Sequence, residues 1–161
     1  MIRPASIEDA EFIARIYNHY ILNSHATFEV QAVDAEEIGK RIRDIKSASL
    51  PYLVAEMDGK VIGYSYAAQW KKRYAYRFSV ECTVYLDHEC VSKGLGTQLY
   101  QTLLEELKTK GIHVAIGGIA LPNPASVALH ERLGFKKVAQ FNEVGFKFDK
   151  WIDVGYWEKH L

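Results

Sequence analysis

The sequence predicts a single α/β domain over 1–161, a mixed central sheet of about seven strands flanked by about four helices. Three observations carry that expectation. Segments with apolar residues at helical spacing alternate with short β-branched and aromatic runs, in the order β-α-α-β-β-β-α-β-α-β-β. At 161 residues the chain is long enough for one substantial core. With 48% hydrophobic and 25% charged residues it has a globular balance, and no repeat, low-complexity tract or linker interrupts it.

Taken in order, Ile2-Arg3-Pro4 forms a first strand, the proline marking an edge. Ser6 caps a helix, with Asp9 as a weak capping box and Ile13, Ile16, Tyr17, Tyr20 and Ile21 on one apolar face. Residues 23–33 are a loop carrying Ala26-Thr27-Phe28-Glu29. A second helix starts at the Asp34 cap, with Glu37 completing the box and Ile38, Ile42 and Ile45 inward. Strands at Tyr52–Met57 and Lys60–Gln69 are joined by the two-residue turn Asp58-Gly59. A loop at 70–76 is loaded with Lys71, Lys72, Arg73, Tyr74 and Tyr76. A strand at 78–86 then leads through Ser92-Lys93-Gly94-Leu95-Gly96-Thr97 into a helix with Leu95, Leu99, Leu103 and Leu107 on one face, closed by Gly111. Residues 113–120 form the next strand, Pro124 opens a short helix that Gly134 ends, and strands at about 137–148 and 152–158 close the chain.

Charge and cysteine content narrow the function classes. Lys+Arg and Asp+Glu both total 20, so no overall field recruits nucleic acid or an acidic membrane. Cys82 and Cys90 form neither a C-x-x-C nor a Cys/His ligand pattern, so no metal is expected. The opening residues reach Glu8, Asp9 and Glu11 without an apolar signal core, and no run approaches the roughly 18 apolar residues of a membrane span. The expected location is the cytoplasm.

A glycine-bearing turn between a strand and a helix N-terminus can hold phosphate. Glycines let the backbone approach, free N–H groups of the first turn point outward, and the helix dipole favours an anion. By spacing alone, K-G-x-G fits a plain glycine-rich turn equally well. Together with Val84-Tyr85-Leu86, a short acidic loop and the amphipathic helix that follows, Lys93-Gly94-Leu95-Gly96 resembles the acetyl-CoA pyrophosphate loop of the Gcn5-related (GNAT) N-acetyltransferases. Further blocks resemble the phosphinothricin and methionine sulfoximine acetyltransferase subfamily: Arg73-Tyr74-Ala75-Tyr76, Val80-Glu81-Cys82-Thr83-Val84-Tyr85, the run from Ala120 to Ser126, His130-Glu131 with Gly134-Phe135, and Val144-Gly145-Phe146-Lys147 with Trp151-Ile152-Asp153-Val154. They run in the family's order over nearly the whole chain.

The resemblance implies acetyl-CoA as cosubstrate. It implies cofactor contacts at Val84, Tyr85, Leu86, Ser92, Lys93, Gly94, Leu95, Gly96, Thr97, Asn123 and Ser126. Strand-like hydrogen bonds to Val84 and Leu86 would suit the peptide-like pantetheine. An Asn and a Ser opening a helix are otherwise ordinary caps. Acyl transfer to an amine needs a neutral amine, a donor for the oxyanion and a proton for the thiolate. Glu81 shares a strand face with Thr83 and can take the ammonium proton; a solvated or salt-bridged glutamate is the plain alternative. His130 is the second catalytic candidate, against a half-buried helical histidine. Arg73 is the candidate grip for an acceptor carboxylate, with Phe28, Glu29, Tyr74 and Tyr76 completing the pocket; a solvated basic loop is the rival. Trp151, Asp153 and Trp157 read as closing-strand structure or a subunit contact.

Val91 and Ser92 depart from the wider family's phosphate-loop pattern, which removes one side-chain contact but leaves the backbone N–H groups. The expected activity is transfer of acetyl from acetyl-CoA to the α-amine of a small amino acid analogue (phosphinothricin, methionine sulfoximine or methionine sulfone) in a ternary complex, by a homodimer. The alternatives are another amine, such as a protein N-terminus or a polyamine, and a non-catalytic acyl-CoA sensor.

Overall fold

The computed structural model describes residues 1–90 and 94–161. One sheet contains β1 (Ile2–Pro4), β2 (Tyr52–Met57), β3 (Lys60–Gln69), β4 (Ser79–Leu86), β5 (Val114–Ala120), β6 (Lys136–Lys147) and β7 (Lys150–His160). The spatial order is β1-β2-β3-β4-β5-β7-β6, and only β4 and β5 pair in parallel. The described helices are α1 (Ala10–Asn23), α2 (Ala35–Ser47), α3 (Leu95–Thr109) and α4 (Pro124–Arg132).

Two cores sandwich the sheet. Ile13, Ile16 and Ile21 of α1 and Ile38 and Ile42 of α2 pack on Tyr52, Val54 and Tyr64. On the other face, Leu99, Leu103 and Leu107 of α3 pack against Leu53, Ala55 and Val80, with Leu129 of α4 alongside. Each of these α3 leucines is fully buried, contributing about 1.5–3 kcal/mol relative to exposure.

Local signals act much as the sequence suggests, with informative differences. Asp58 and Gly59 both adopt left-handed φ values (51° and 74°), as a two-residue hairpin needs. Asp34 accepts the Glu37 N–H at 2.8 Å, but the Glu37 carboxylate turns to Arg41 instead of closing the expected box. Asp9 does more than cap. Its buried carboxylate takes the Ser6 N–H and both ends of the Arg3 guanidinium, which also reaches Glu56, so β1, α1 and β2 are tied at one point. The last strand runs longer than 152–158, and β6 is shifted by one from 137–148, because their turn at Phe148-Asp149 uses non-glycine residues with φ of 52° and 56° and pairing continues to Lys147↔Lys150.

The decisive feature lies between the parallel strands. β4 and β5 pair only at Ser79↔Val114, Val80↔Ala115 and Glu81↔Ile116. Beyond Glu81, β4 stays with β3 as far as Leu86↔Gly63, and β5 stays with β7 as far as Ala120↔Val154. A wedge therefore opens in the middle of the sheet.

Candidate active site

Main-chain parity shows what the wedge exposes. Trp70 N donates to Ser79 O and Asp87 N to Ile62 O, so alternate residues from Ser79 to Asp87 spend their main-chain groups on β3. Cys82, Val84 and Leu86 turn theirs toward the wedge. On β5, Leu121 N donates to Asp153 O and Leu161 N to His113 O, which leaves Gly118 and Ala120 facing the wedge from the other side. The Leu86 carbonyl accepts from the Tyr20 hydroxyl at 2.6 Å. The wedge is thus two sheet edges able to take an extended, amide-bearing ligand between them.

A cleft of about 560 Å³ fills it. On the α3/α4 face it reaches Gly96 in the first turn of α3 and Asn123 and Ser126 at the start of α4, so two helix N-termini meet there. Asn123 caps α4, its side-chain oxygen accepting from Ser126 N at 3.1 Å. Gly94 holds the α3 cap at φ 88°, a conformation that favours glycine.

Glu81 and His130 both line the cleft from opposite faces of the sheet. Glu81 lies on the α1/α2 face beside Gly118, where an added Cβ would sit 3.3 Å from its Oε1 and 3.1 Å from the Tyr156 ring. Partial burial raises its carboxyl above the ordinary value, and among the described residues no cation offsets this. His130 is buried on the α4 face against Gly117, Tyr100 and Phe135. The Ser126 carbonyl lies 2.8 Å from its Nδ1, which therefore carries the proton; Nε2 accepts from the Tyr100 hydroxyl at 3.0 Å. Burial lowers its pKa, so it is neutral at pH 7. Cys82 also lines the cleft, with its thiol pushed up to about 12 by burial.

The acetyltransferase (GNAT) domain family matches residues 2–155. The chain belongs to the GNAT acetyltransferases. Phosphinothricin N-acetyltransferase of Streptomyces viridochromogenes is 38% identical over 158 residues, 98% of this chain and 86% of that protein. The L-methionine sulfoximine/L-methionine sulfone acetyltransferase of Salmonella typhimurium is 35% identical over 99% of this chain and 94% of its own. Among solved structures, a GNAT-superfamily phosphinothricin acetyltransferase from Sinorhizobium meliloti, in complex with acetyl-CoA, superposes with a TM-score of 0.97 at 35% identity, covering 100% of this chain and 88% of that one. Acetyl-CoA is the cosubstrate of this GNAT enzyme. Among the described residues no cluster of His, Cys, Asp or Glu is arranged to hold a metal ion.

The GNAT cleft gathers Glu81, His130, Val84, Tyr85, Leu86, Gly96, Asn123 and Ser126. Tyr85 differs from its neighbours: its main chain faces β3, and its hydroxyl donates to Ala26 O at 3.2 Å on the α1 face. Gly94, Leu95 and Thr97 stand at the α3 start outside the cleft lining, while Ser92 and Lys93 lie outside the described residues. The expected acceptor group is not brought together. Arg73, Tyr74 and Tyr76 are exposed and stand outside the cleft lining, Tyr74 at 78%, and Arg77 covers the Tyr74 and Phe78 rings. Glu29 is engaged: Arg41 grips it at 2.7 and 2.9 Å, Tyr17 donates to it, and Arg41 chiefly holds its pKa low. Phe28 packs its ring on Gly145.

Sequence reasoning missed the tyrosines. Tyr17 and Tyr20 read as helix core yet line the cleft with Tyr66. It also missed Gly117-Gly118, although paired glycines inside a strand signal close approach, here of His130 and of Glu81 with Tyr156. Lys147, nearly sealed from solvent, donates to Ser24 O at 2.7 Å and Thr27 O at 2.8 Å. With His25 on Pro122 O at 2.9 Å, it straps the 24–28 loop across the cleft.

Proposed function

We propose that the enzyme acetylates the α-amine of a small amino acid analogue of the phosphinothricin, methionine sulfoximine or methionine sulfone type, by direct attack in a ternary complex. The observation that carries this is a half-buried carboxylate, Glu81, without a countercharge among the described residues, at the apex of a wedge whose one thiol is not activated. The relatives' printed activities supply the acceptor class.

Glu81, its proton affinity raised by burial, takes a proton from the incoming ammonium directly or through water. The freed amine lone pair attacks the thioester carbonyl carbon. The outward main-chain N–H groups of β4 can donate to the oxyanion that develops. As that intermediate collapses the C–S bond breaks, the sulfur leaves with its electron pair, and the second proton that the amine nitrogen sheds in becoming an amide passes to the thiolate, while Glu81 returns its proton to solvent. His130 and Tyr100 stand on the leaving-group face. With Nε2 already accepting from Tyr100, His130 is poorly set to take the ammonium proton, which leaves that role to Glu81. Val84 and Leu86 hold pantetheine as an added strand, and the α3 and α4 N-termini, with the 92–97 loop, take the phosphate end.

Arg73 stands outside the cleft lining, and its assignment to the acceptor carboxylate rests on the position of its loop. The 70–76 loop joins the end of β3 to the start of β4, two residues before Glu81, and Trp70 packs on Tyr156 beside that carboxylate. The enzyme works as one N-acetyltransferase domain and pairs as a homodimer through the exposed apolar side chains of β6 and β7. Two free cysteines suit the cytoplasm. The test is a rate comparison of methionine sulfoximine, its decarboxylated amine, spermidine and a short peptide. Methionine sulfoximine is expected to lead; a lead for the decarboxylated amine, spermidine or the peptide would refute the acceptor assignment. Arg73→Ala should abolish the preference while leaving CoA affinity unchanged.

A further inference from the structure

A second cavity, of about 160 Å³, lies behind the cleft between α2 and the sheet, lined by Ile38, Arg41, Asp44, Ile45, Tyr52 and Tyr64. Tyr17 and Tyr66 line both spaces. Tyr17 is fixed by hydrogen bonds to Thr27 and Glu29. Tyr66 is held by stacking: its ring lies 4.9 Å from Tyr52 at 21° and 6.4 Å from Tyr64 at 3°. In register Tyr66 faces Thr83, two residues along the same strand face from Glu81. A diagonal cross-strand neighbour of that kind is within reach of a long side chain. Tyr66 therefore stands where an acceptor presenting its amine to Glu81 would direct a side chain.

We propose that Tyr66 is a specificity-determining partition: it closes the rear cavity to the acceptor and so sets the upper size of the acceptor side chain. The inference rests on the acceptor end of the cleft being at Glu81. The rear cavity has room for about five water molecules, hence for a side-chain extension of similar bulk. Removing the ring joins the two spaces, whereas Phe keeps the partition.

The test measures kcat/KM in wild type, Tyr66→Ala, Tyr66→Leu and Tyr66→Phe with methionine sulfone and phenylalanine, and with butylamine and phenethylamine as plain amines of graded bulk. The large-to-small ratio should rise at least tenfold in the Ala or Leu variant, remain at the wild-type value in the Phe variant, and leave the CoA Kd unchanged. The Leu variant serves if the Ala variant does not fold. An unchanged ratio, or an equal loss for every acceptor, overturns the partition. Failure of wild type on both amino acids counts instead against the acceptor assignment, and the ratio is then read from the plain amines.

Discussion

Glu81 is a residue the fold would be more stable without. Between the ordinary carboxylate value and its raised folded value, the folded state binds more protons than the unfolded chain, so stability falls as pH rises through that window. Glu81→Gln should therefore melt higher than wild type above the window and equally below it, as followed by thermal scans across pH. The same variant should lose about 10²–10⁴-fold in kcat/KM, with CoA affinity unchanged. Equal melting at neutral pH together with wild-type rates would make Glu81 an ordinary strand residue. Its place and that of His130 beside the cleft were legible from motif position. The state of His130 was not: neutrality depends on burial, and its tautomer on Ser126 and Tyr100, residues 4 and 30 positions away. The engagement of Glu29 was hidden for a similar reason, since its partner Arg41 comes from α2.

At the scale of elements, the strap over the cleft is the least predictable part. Phe28 rests on Gly145, where an added methyl would overlap the ring, and Lys147 fastens the same loop two residues later on β6. Gly145→Ala should displace Phe28 and cost about 1–3 kcal/mol by overpacking. Its acceptor KM should rise severalfold while the CoA Kd stays constant; Lys147→Met should act in the same direction. Steady-state kinetics beside a CoA titration separates the effects, and a change confined to CoA affinity would detach the strap from the acceptor. Helices and hairpins were readable because caps, turns and periodicity are local. The wedge was not, because where β4 and β5 part is a property of register, signalled in sequence only by Gly117-Gly118.

Over the whole molecule, the element order and seven-stranded mixed sheet followed from alternating periodicities, and Trp151 on the closing strand already read as closing-strand structure or a subunit contact. β6 is an edge strand, and Phe141, Val144, Phe146, Phe148 and Trp151 on its hairpin are all more than half exposed. At about 150–250 Å² per fully buried aromatic residue, the exposed portions of these four aromatics offer roughly half of the about 800 Å² per partner that a stable interface buries. Sedimentation should show a dimer that Trp151→Lys with Phe146→Glu converts to monomer; a wild-type monomer at micromolar concentration would leave this edge without the proposed partner. In the proposed mechanism amine and thioester meet in one cleft without an acyl-enzyme. Initial rates over a matrix of acetyl-CoA and methionine sulfoximine concentrations test this most directly. Intersecting double-reciprocal lines, with CoA released only when the amine is present and rates retained in Cys82→Ala, are the predicted result; parallel lines, or a burst of CoA without amine, would contradict it.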